Sequence, residues 1–405
     1  MQKITVSRNN EVYEAFADIA QAADSTLVCT YRESLCHGAV PFSRVMVRRS
    51  HDGGYTWGPA QLVIERTRKE TAAGRGRLNC SRITACTDGT LLLVVDLMFK
   101  SQLDPAPAMN LMFLSHDNGA TWEGPRETGI TDGIVPSIKE LSNGALLLGV
   151  TRLRTNDEQL SGLEEQQTVY RSIDGGASWE GPFTVPLLDT PPVTGKCWRF
   201  SEGDFAELDD GSILVYMRED GEGLSGWKSI STDGGCTWSQ PYRTQMMSCA
   251  GRPSVGRVRS GEIVITYRFC SGVSTSLGLY VETPQEARRF TPLNPNNYKT
   301  EYPQGRFAFL DNDRSLSPDS GYSGWIQLPS GDLYVVNYTT DDAPRAQIRG
   351  YIVGREDWFL FPEGDIRWYH PGADLQYVEQ AQEMSAAQYR KVQKQTWTLR
   401  VPTQK

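Results

Sequence analysis

The sequence predicts an all-β fold, a six-bladed β-propeller, and three observations carry that prediction. An eight-residue turn of the form Ser-x-Asp-x-Gly-x-(Thr/Ser)-Trp occurs four times: SHDGGYTW at 50–57, SHDNGATW at 115–122, SIDGGASW at 172–179 and STDGGCTW at 231–238. A strand–turn–strand pattern occurs six times, at spacings that suit blades of four short strands. The chain of 405 residues exceeds the usual single domain, but a closed repeat array reaches that size.

Taken in order, the stretch near 3–8 precedes the first hairpin and is expected to close the ring beside the last blade. The hairpins follow as AFADIAQAADSTLVCTYRE, NCSRITACTDGTLLLVVD, VPSIKELSNGALLLGVTR, SEGDFAELDDGSILVYMR, GRPSVGRVRSGEIVITYR and GYSGWIQLPSGDLYVVNY. Their turns centre on Ser25, Gly89, Gly144, Gly211, Gly261 and Gly331. The eight-residue turns follow hairpins one to four, and their opening serines are spaced by 65, 57 and 59 residues. In each, the Asp can accept backbone hydrogen bonds, glycine permits positive φ and the Trp packs beneath. They are pins of the fold and carry no chemistry. After the last hairpin, LQYVEQAQEMSAAQYRKVQKQTW lacks Gly and Pro, and Leu375, Val378, Ala381, Met384 and Tyr389 give a helical stripe. The expected organisation is a propeller over 1–370 and a C-terminal helix and tail over 371–405. That helix is expected to dock on the propeller or on a second subunit, which would make a homo-oligomer.

Composition excludes several functions. A net charge of −8 is poor for nucleic acid. No run approaches the ~18 apolar residues that span a membrane. The opening MQKITVSRNNEVY lacks a secretory h-region, so the expected location is cytoplasmic, or secreted where a leader once preceded it. The eight cysteines form no C-x-x-C pair and read as reduced thiols. No His/Asp/Cys cluster has metal-ligand spacing and no glycine loop suits a phosphate, so neither metal nor cofactor is expected.

The repeat also sets a register. Seven residues after each turn centre stand Arg32, Asp96, Thr151, Arg218, Arg268 and Tyr338; nine before it stand Phe16, Cys80, Val135, Glu202, Arg252 and Tyr322. In antiparallel hairpins both sets fall at one rim of the propeller, which gathers arginines, a Glu and a Tyr at one mouth. Asp18 and Asp204 share a register on the first strands of hairpins one and four, and their burial would demand arginine partners. Asp18 reads as an acid catalyst or as a group orienting Arg32, and Asp96 as a contact for a sugar hydroxyl. His37, alone of four histidines, lies in a loop expected at the mouth and could exchange a proton near neutrality. Glu33 beside it is a further candidate, or simply a partner of Arg32. The basic run ERTRKETAAGRGR at 65–77 reads as a solvated loop or as a cover for the mouth.

Four such Asp-box turns on six such hairpins resemble the sialidase (neuraminidase) superfamily, over roughly residues 5–365. SEGDFAELDDGSILVYMR is similar to the family segment that carries a glutamate and a substrate-binding arginine, here Glu202 and Arg218. SGYSGWIQLPSG is similar to the segment with the nucleophilic tyrosine, here Tyr322. The resemblance implies an exo-acting glycoside hydrolase that releases a terminal acidic sugar, with Tyr322 activated by Glu202 and the sugar carboxylate held by Arg32, Arg218, Arg252 and Arg268. The chain departs from the family pattern in three places, one of them NYTTDD after the Tyr322 hairpin, where many relatives have Tyr-Glu. YEAFADIA lacks the arginine of the usual Phe/Tyr-Arg-Ile-Pro motif, and the loop ESLCHGAVPFSR lacks the usual aspartic acid, leaving His37 or Asp18 to protonate the leaving oxygen. A lyase acting on uronic-acid glycans through a His and a Tyr, and a propeller that binds a glycan without cleaving it, are the alternatives.

Overall fold

The computed structural model describes residues 1–358, apart from 39–40, 75, 100–107, 132, 156–162, 190–196, 222–224, 272–273 and 291–304. The expected helix and the domain boundary at 370 lie outside the described residues. Those described form six antiparallel four-stranded sheets. The inner strands of the blades are Tyr13–Gln21, Arg77–Ala85, Ile134–Glu140, Phe200–Glu207, Ser254–Arg257 and Ser320–Gln327. Each touches the next in turn, and the last touches the first, so the blades make a ring. The N-terminal strand Gln2–Ser7 closes it by pairing with Gln347–Val353 as the outermost strand of blade six, in the register Gln2↔Ile352.

The inner strands are buried on both faces, because neighbouring blades cover them. The apolar core therefore lies between blades: Ala20, Val28, Val45 and Val47 of blade one pack with Leu91, Leu93, Val95 and Phe113 of blade two. All six turn centres have positive φ, from 71° at Ser25 to 103° at Gly261, which explains glycine at five of them.

The Asp boxes repeat one geometry. In each, the Ser hydroxyl lies 2.8 Å from the Asp carboxylate, and the second Gly position donates its N–H to that hydroxyl at 2.9 Å. Each box also docks on the preceding blade. Gly54 (φ 93°) lies so close to Tyr334 of blade six that a Cβ would come within 2.0 Å of its ring, and Trp57 donates its indole N–H to the Tyr334 hydroxyl at 3.1 Å. Gly119, Gly176 and Gly235 likewise face Val28, Met112 and Leu147. Blade five meets blade four without a box. There Lys228 and Glu282, both fully buried, pair at 2.8 Å, and the carboxylate also accepts from Tyr216 and Tyr280.

Arg68–Ala72 of the basic run form a short helix with no buried residue, capped by Thr67 and Glu70. All eight cysteines are free. No helix among the described residues is long and apolar enough to cross a membrane.

Candidate active site

The inner strands begin at one end of the ring, and there five of them are bulged. The pairing jumps from Ala15↔Arg32 to Asp18↔Thr30 in blade one and from Ser201↔Arg218 to Asp204↔Tyr216 in blade four; blades two, three and six shift likewise. A bulge sets two residues against one and re-aims a side chain. Phe16 (φ 61°), Val135 (φ 52°) and Glu202 (φ 57°) sit at these bulges in the left-handed region, and Gly321 (φ 103°) precedes Tyr322. For non-glycine residues this conformation costs about 1–3 kcal/mol and is held by the surrounding sheet.

Glu202 thereby meets Tyr322 across the mouth, and the phenol donates a short hydrogen bond to Glu202 Oε1. Arg218 Nη1 donates to the same oxygen at 3.2 Å, while its Nε and Nη2 hold Asp220 at 2.7 and 2.5 Å. Burial opposes the Arg218 charge, but Glu202, Tyr322 and Asp220 outweigh it and hold its proton firmly. Burial and the Glu202 charge push the Tyr322 phenol well above its ordinary value, so the proton stays on it at rest. Arg268 lies 4.6 Å from the Tyr322 ring centre, donates from Nε to Ser320 O at 2.6 Å, and contacts Asp319 at 3.2 Å and the Tyr338 hydroxyl.

His37 joins this cluster from the loop after the second strand of blade one. Its Nδ1 is 2.6 Å from Asp319 Oδ2, and its ring packs edge-on against Phe16 at 5.1 Å. Tyr322 meets the same Phe16 ring at 5.2 Å. Tyr322, Glu202, Arg218, Arg268 and His37 thus share one mouth.

The BNR repeat-like domain matches residues 25–335, most of the chain. The chain belongs to that family. A search among curated proteins finds no match. Among solved structures, the chain is similar to a protein of unknown function from Dyadobacter fermentans, at 18% identity and TM-score 0.66 over 87% of this chain and 97% of that one. It is similar to the NanB sialidase of Streptococcus pneumoniae at 12% identity and TM-score 0.61, over 85% and 69%. It is also similar to the intramolecular trans-sialidase of Ruminococcus gnavus at 13% and 0.59, over 86% and 96%. At these identities the likeness is one of fold: a sialidase-like six-bladed propeller.

Other expected site residues of this BNR-repeat chain are engaged elsewhere. Arg32 and Arg252 are each 1% exposed. Arg32 lies 4.3 Å from the Phe16 ring centre and donates to the carbonyls of His37 (2.8 Å) and Cys36 and to Asn79. Arg252 donates to Ala17 O (2.8 Å) and Ser81 O, with the Tyr322 ring at 5.4 Å. These donors hold the fold and the His37 loop: Arg252 bonds carbonyls on two inner strands, and Arg32 bonds the loop carbonyls and Asn79. Asp18 is not at the mouth: it accepts from Arg82 at 3.3 Å and from Ile83 N–H at 3.0 Å, and Arg82 also reaches Asp204 at 3.4 Å. This ion cluster spans blades one, two and four, so Asp18 neither protonates a leaving group nor orients Arg32. Asp96, fully buried, accepts from Cys80 N–H, Val135 N–H and Asn79 and joins two blades, leaving no free face for a sugar hydroxyl. Glu33 pairs with Arg44 at 3.6 Å, not with Arg32.

Sequence reasoning missed Asp319, Tyr13 and Asp220. Tyr13 donates to Asp319 and lies 3.3 Å from His37 Nδ1. Arg77, at the end of the basic run, donates to Gly38 O at 3.0 Å and so steadies the His37 loop. Among the described residues no group of three or more His, Cys, Asp and Glu could hold a metal ion. A cavity of about 440 Å³ opens at the other end of the inner strands, lined by Lys139, Phe205 and Arg257 among others. Its carboxylates Glu140 and Glu207 are spent on Thr87 and Ser142 of neighbouring blades.

Proposed function

We propose that the chain is an exo-acting glycoside hydrolase that releases a terminal acidic sugar, with Tyr322 as nucleophile. The observation that supports it most is the Tyr322–Glu202 hydrogen bond, with Arg218 on the same carboxylate oxygen. In the first step Tyr322 Oη attacks the anomeric carbon and its proton passes to Glu202. The bond to the aglycone breaks, and His37 gives that oxygen a proton. Water then attacks the glycosyl–tyrosine, losing a proton to His37, and the phenol regains its own from Glu202. A neutral phenol suits an oxocarbenium-like centre beside a carboxylate, where an anionic nucleophile would be repelled.

An acidic substrate is supported by charge. Arg32 and Arg252 are buried guanidiniums whose partners are carbonyls, an amide and aromatic rings, with no ion-paired carboxylate among the described residues. Unbalanced buried cations favour an anion nearby. Arg268 and Arg218, 13% and 22% exposed, are the arginines that can reach it.

The test is to incubate the protein with a nitrophenyl sialoside and, separately, with uronic-acid glycans. Nitrophenol release that vanishes in Tyr322→Phe is the expected result. An ultraviolet-absorbing unsaturated uronide would instead establish a lyase, and binding without turnover by the folded protein would establish a non-catalytic propeller.

A further inference from the structure

We infer that Asp319 is the positioning residue of His37, forming an Asp–His dyad that aims the histidine's Nε2 at the leaving oxygen; this rests on the proposed role of His37 as proton donor. Asp319 stands three residues before Tyr322, and its carboxylate is held from four sides. Oδ2 meets His37 Nδ1 at 2.6 Å and takes the Tyr13 hydroxyl, while Oδ1 takes the Tyr338 hydroxyl at 2.5 Å and Arg268 Nη2 at 3.2 Å. Its backbone is fixed as well. Asp319 N–H donates to Asp313 Oδ2 and Thr340 Oγ1 at 3.2 and 3.3 Å, and the buried Asp313 also accepts from Thr340 N–H at 2.8 Å.

The chemistry follows from the donor inventory. Burial works to raise the Asp319 carboxyl, but His37, Arg268 and Tyr13 outweigh it and bring it down to about 2. An ionised carboxylate only accepts, so His37 Nδ1 must carry the hydrogen between them. The exchangeable proton is then the one on Nε2, which has no partner among the described residues. When Nε2–H protonates the aglycone oxygen, the ring becomes neutral and keeps Nδ1–H on Asp319, which stays ionised throughout. The groups that face His37 are Tyr13, Asp319 and Phe16, and Arg32 holds its carbonyl. One short segment, 319–322, therefore sets nucleophile and proton donor together, although the two arise from opposite ends of the chain.

Two readouts test this. Side-chain nitrogen NMR needs no substrate; the chain has four histidines, and His37→Gln identifies the His37 signals by their loss. The expected result is that the wild-type His37 ring carries hydrogen on both nitrogens when protonated and on Nδ1 alone when neutral, and that this neutral tautomer is lost in Asp319→Asn. An Nε2–H tautomer in the wild type would overturn the dyad. The second readout compares a methyl and a nitrophenyl sialoside. Asp319→Asn and His37→Gln are expected to lose about 100-fold or more on the methyl sialoside, whose leaving group needs a proton, and under about 10-fold on the nitrophenyl one. Equal losses on both would reduce Asp319 to a structural role. If the wild type cleaves neither, the hydrolase reading fails, and the tautomer alone still decides whether the dyad exists.

Discussion

The two ends of the propeller use the same sixfold repeat in opposite ways. At the end where the third strands finish, four Asp boxes carry the same residues in the same geometry, and each fastens its blade to the one before. At the mouth, the equivalent positions hold Phe16, Cys80, Val135, Glu202, Arg252 and Tyr322, six different residue types. Repetition marks the scaffold, where every blade faces one packing problem. Divergence at a shared register marks the site, where one substrate meets each blade from a different side.

The largest expected effect comes from breaking closure. Deleting residues 1–7 leaves the Gln347–Val353 edge of blade six unpaired, and the chain is expected to lose cooperative thermal unfolding, as calorimetry would show. Next comes the mouth. Glu202→Gln keeps the shape of the site but cannot take the Tyr322 proton, so kcat is expected to fall about 100- to 10,000-fold while Tm stays within a few degrees.

Gly54→Ala strikes the scaffold. It must place a Cβ within 2.0 Å of the Tyr334 ring at φ 93°, and is expected to cost about 3 kcal/mol in denaturant titration, with kcat of the folded protein unchanged. The smallest effect concerns the seam between blades six and one. Burial pushes Glu14 up to about 7, against a 2.6 Å hydrogen bond from Ser7. The folded chain thus binds this proton more tightly than the unfolded one, and stability falls as pH rises from about 4.5 through about 7. Glu14→Gln is expected to raise Tm by a few degrees at pH 8 and leave it nearly unchanged at pH 4.5, in thermal melts at both values.

Much of this contrast was legible in the sequence. The Asp boxes and hairpins gave the blades and the closing strand, and the register brought Glu202, Arg218 and Tyr322 to one mouth. The register placed Arg32 and Arg252 at the mouth but not the direction of their side chains, which reach for backbone carbonyls that no spacing reveals. Asp18 was expected to need an arginine, and its partner Arg82 occupies the same register in blade two. Asp319 was missed because it precedes the hairpin of blade six and has no counterpart in the repeat.

The most direct test of the central claim is to trap the glycosyl–enzyme. A sialosyl fluoride bearing a second fluorine beside the reacting carbon slows breakdown of a covalent intermediate, and digestion with mass spectrometry then locates the added sugar. The account predicts the adduct on the peptide containing Tyr322, and none in Tyr322→Phe. An adduct on another residue, or sugar release from the folded wild type with no adduct at Tyr322, would contradict it.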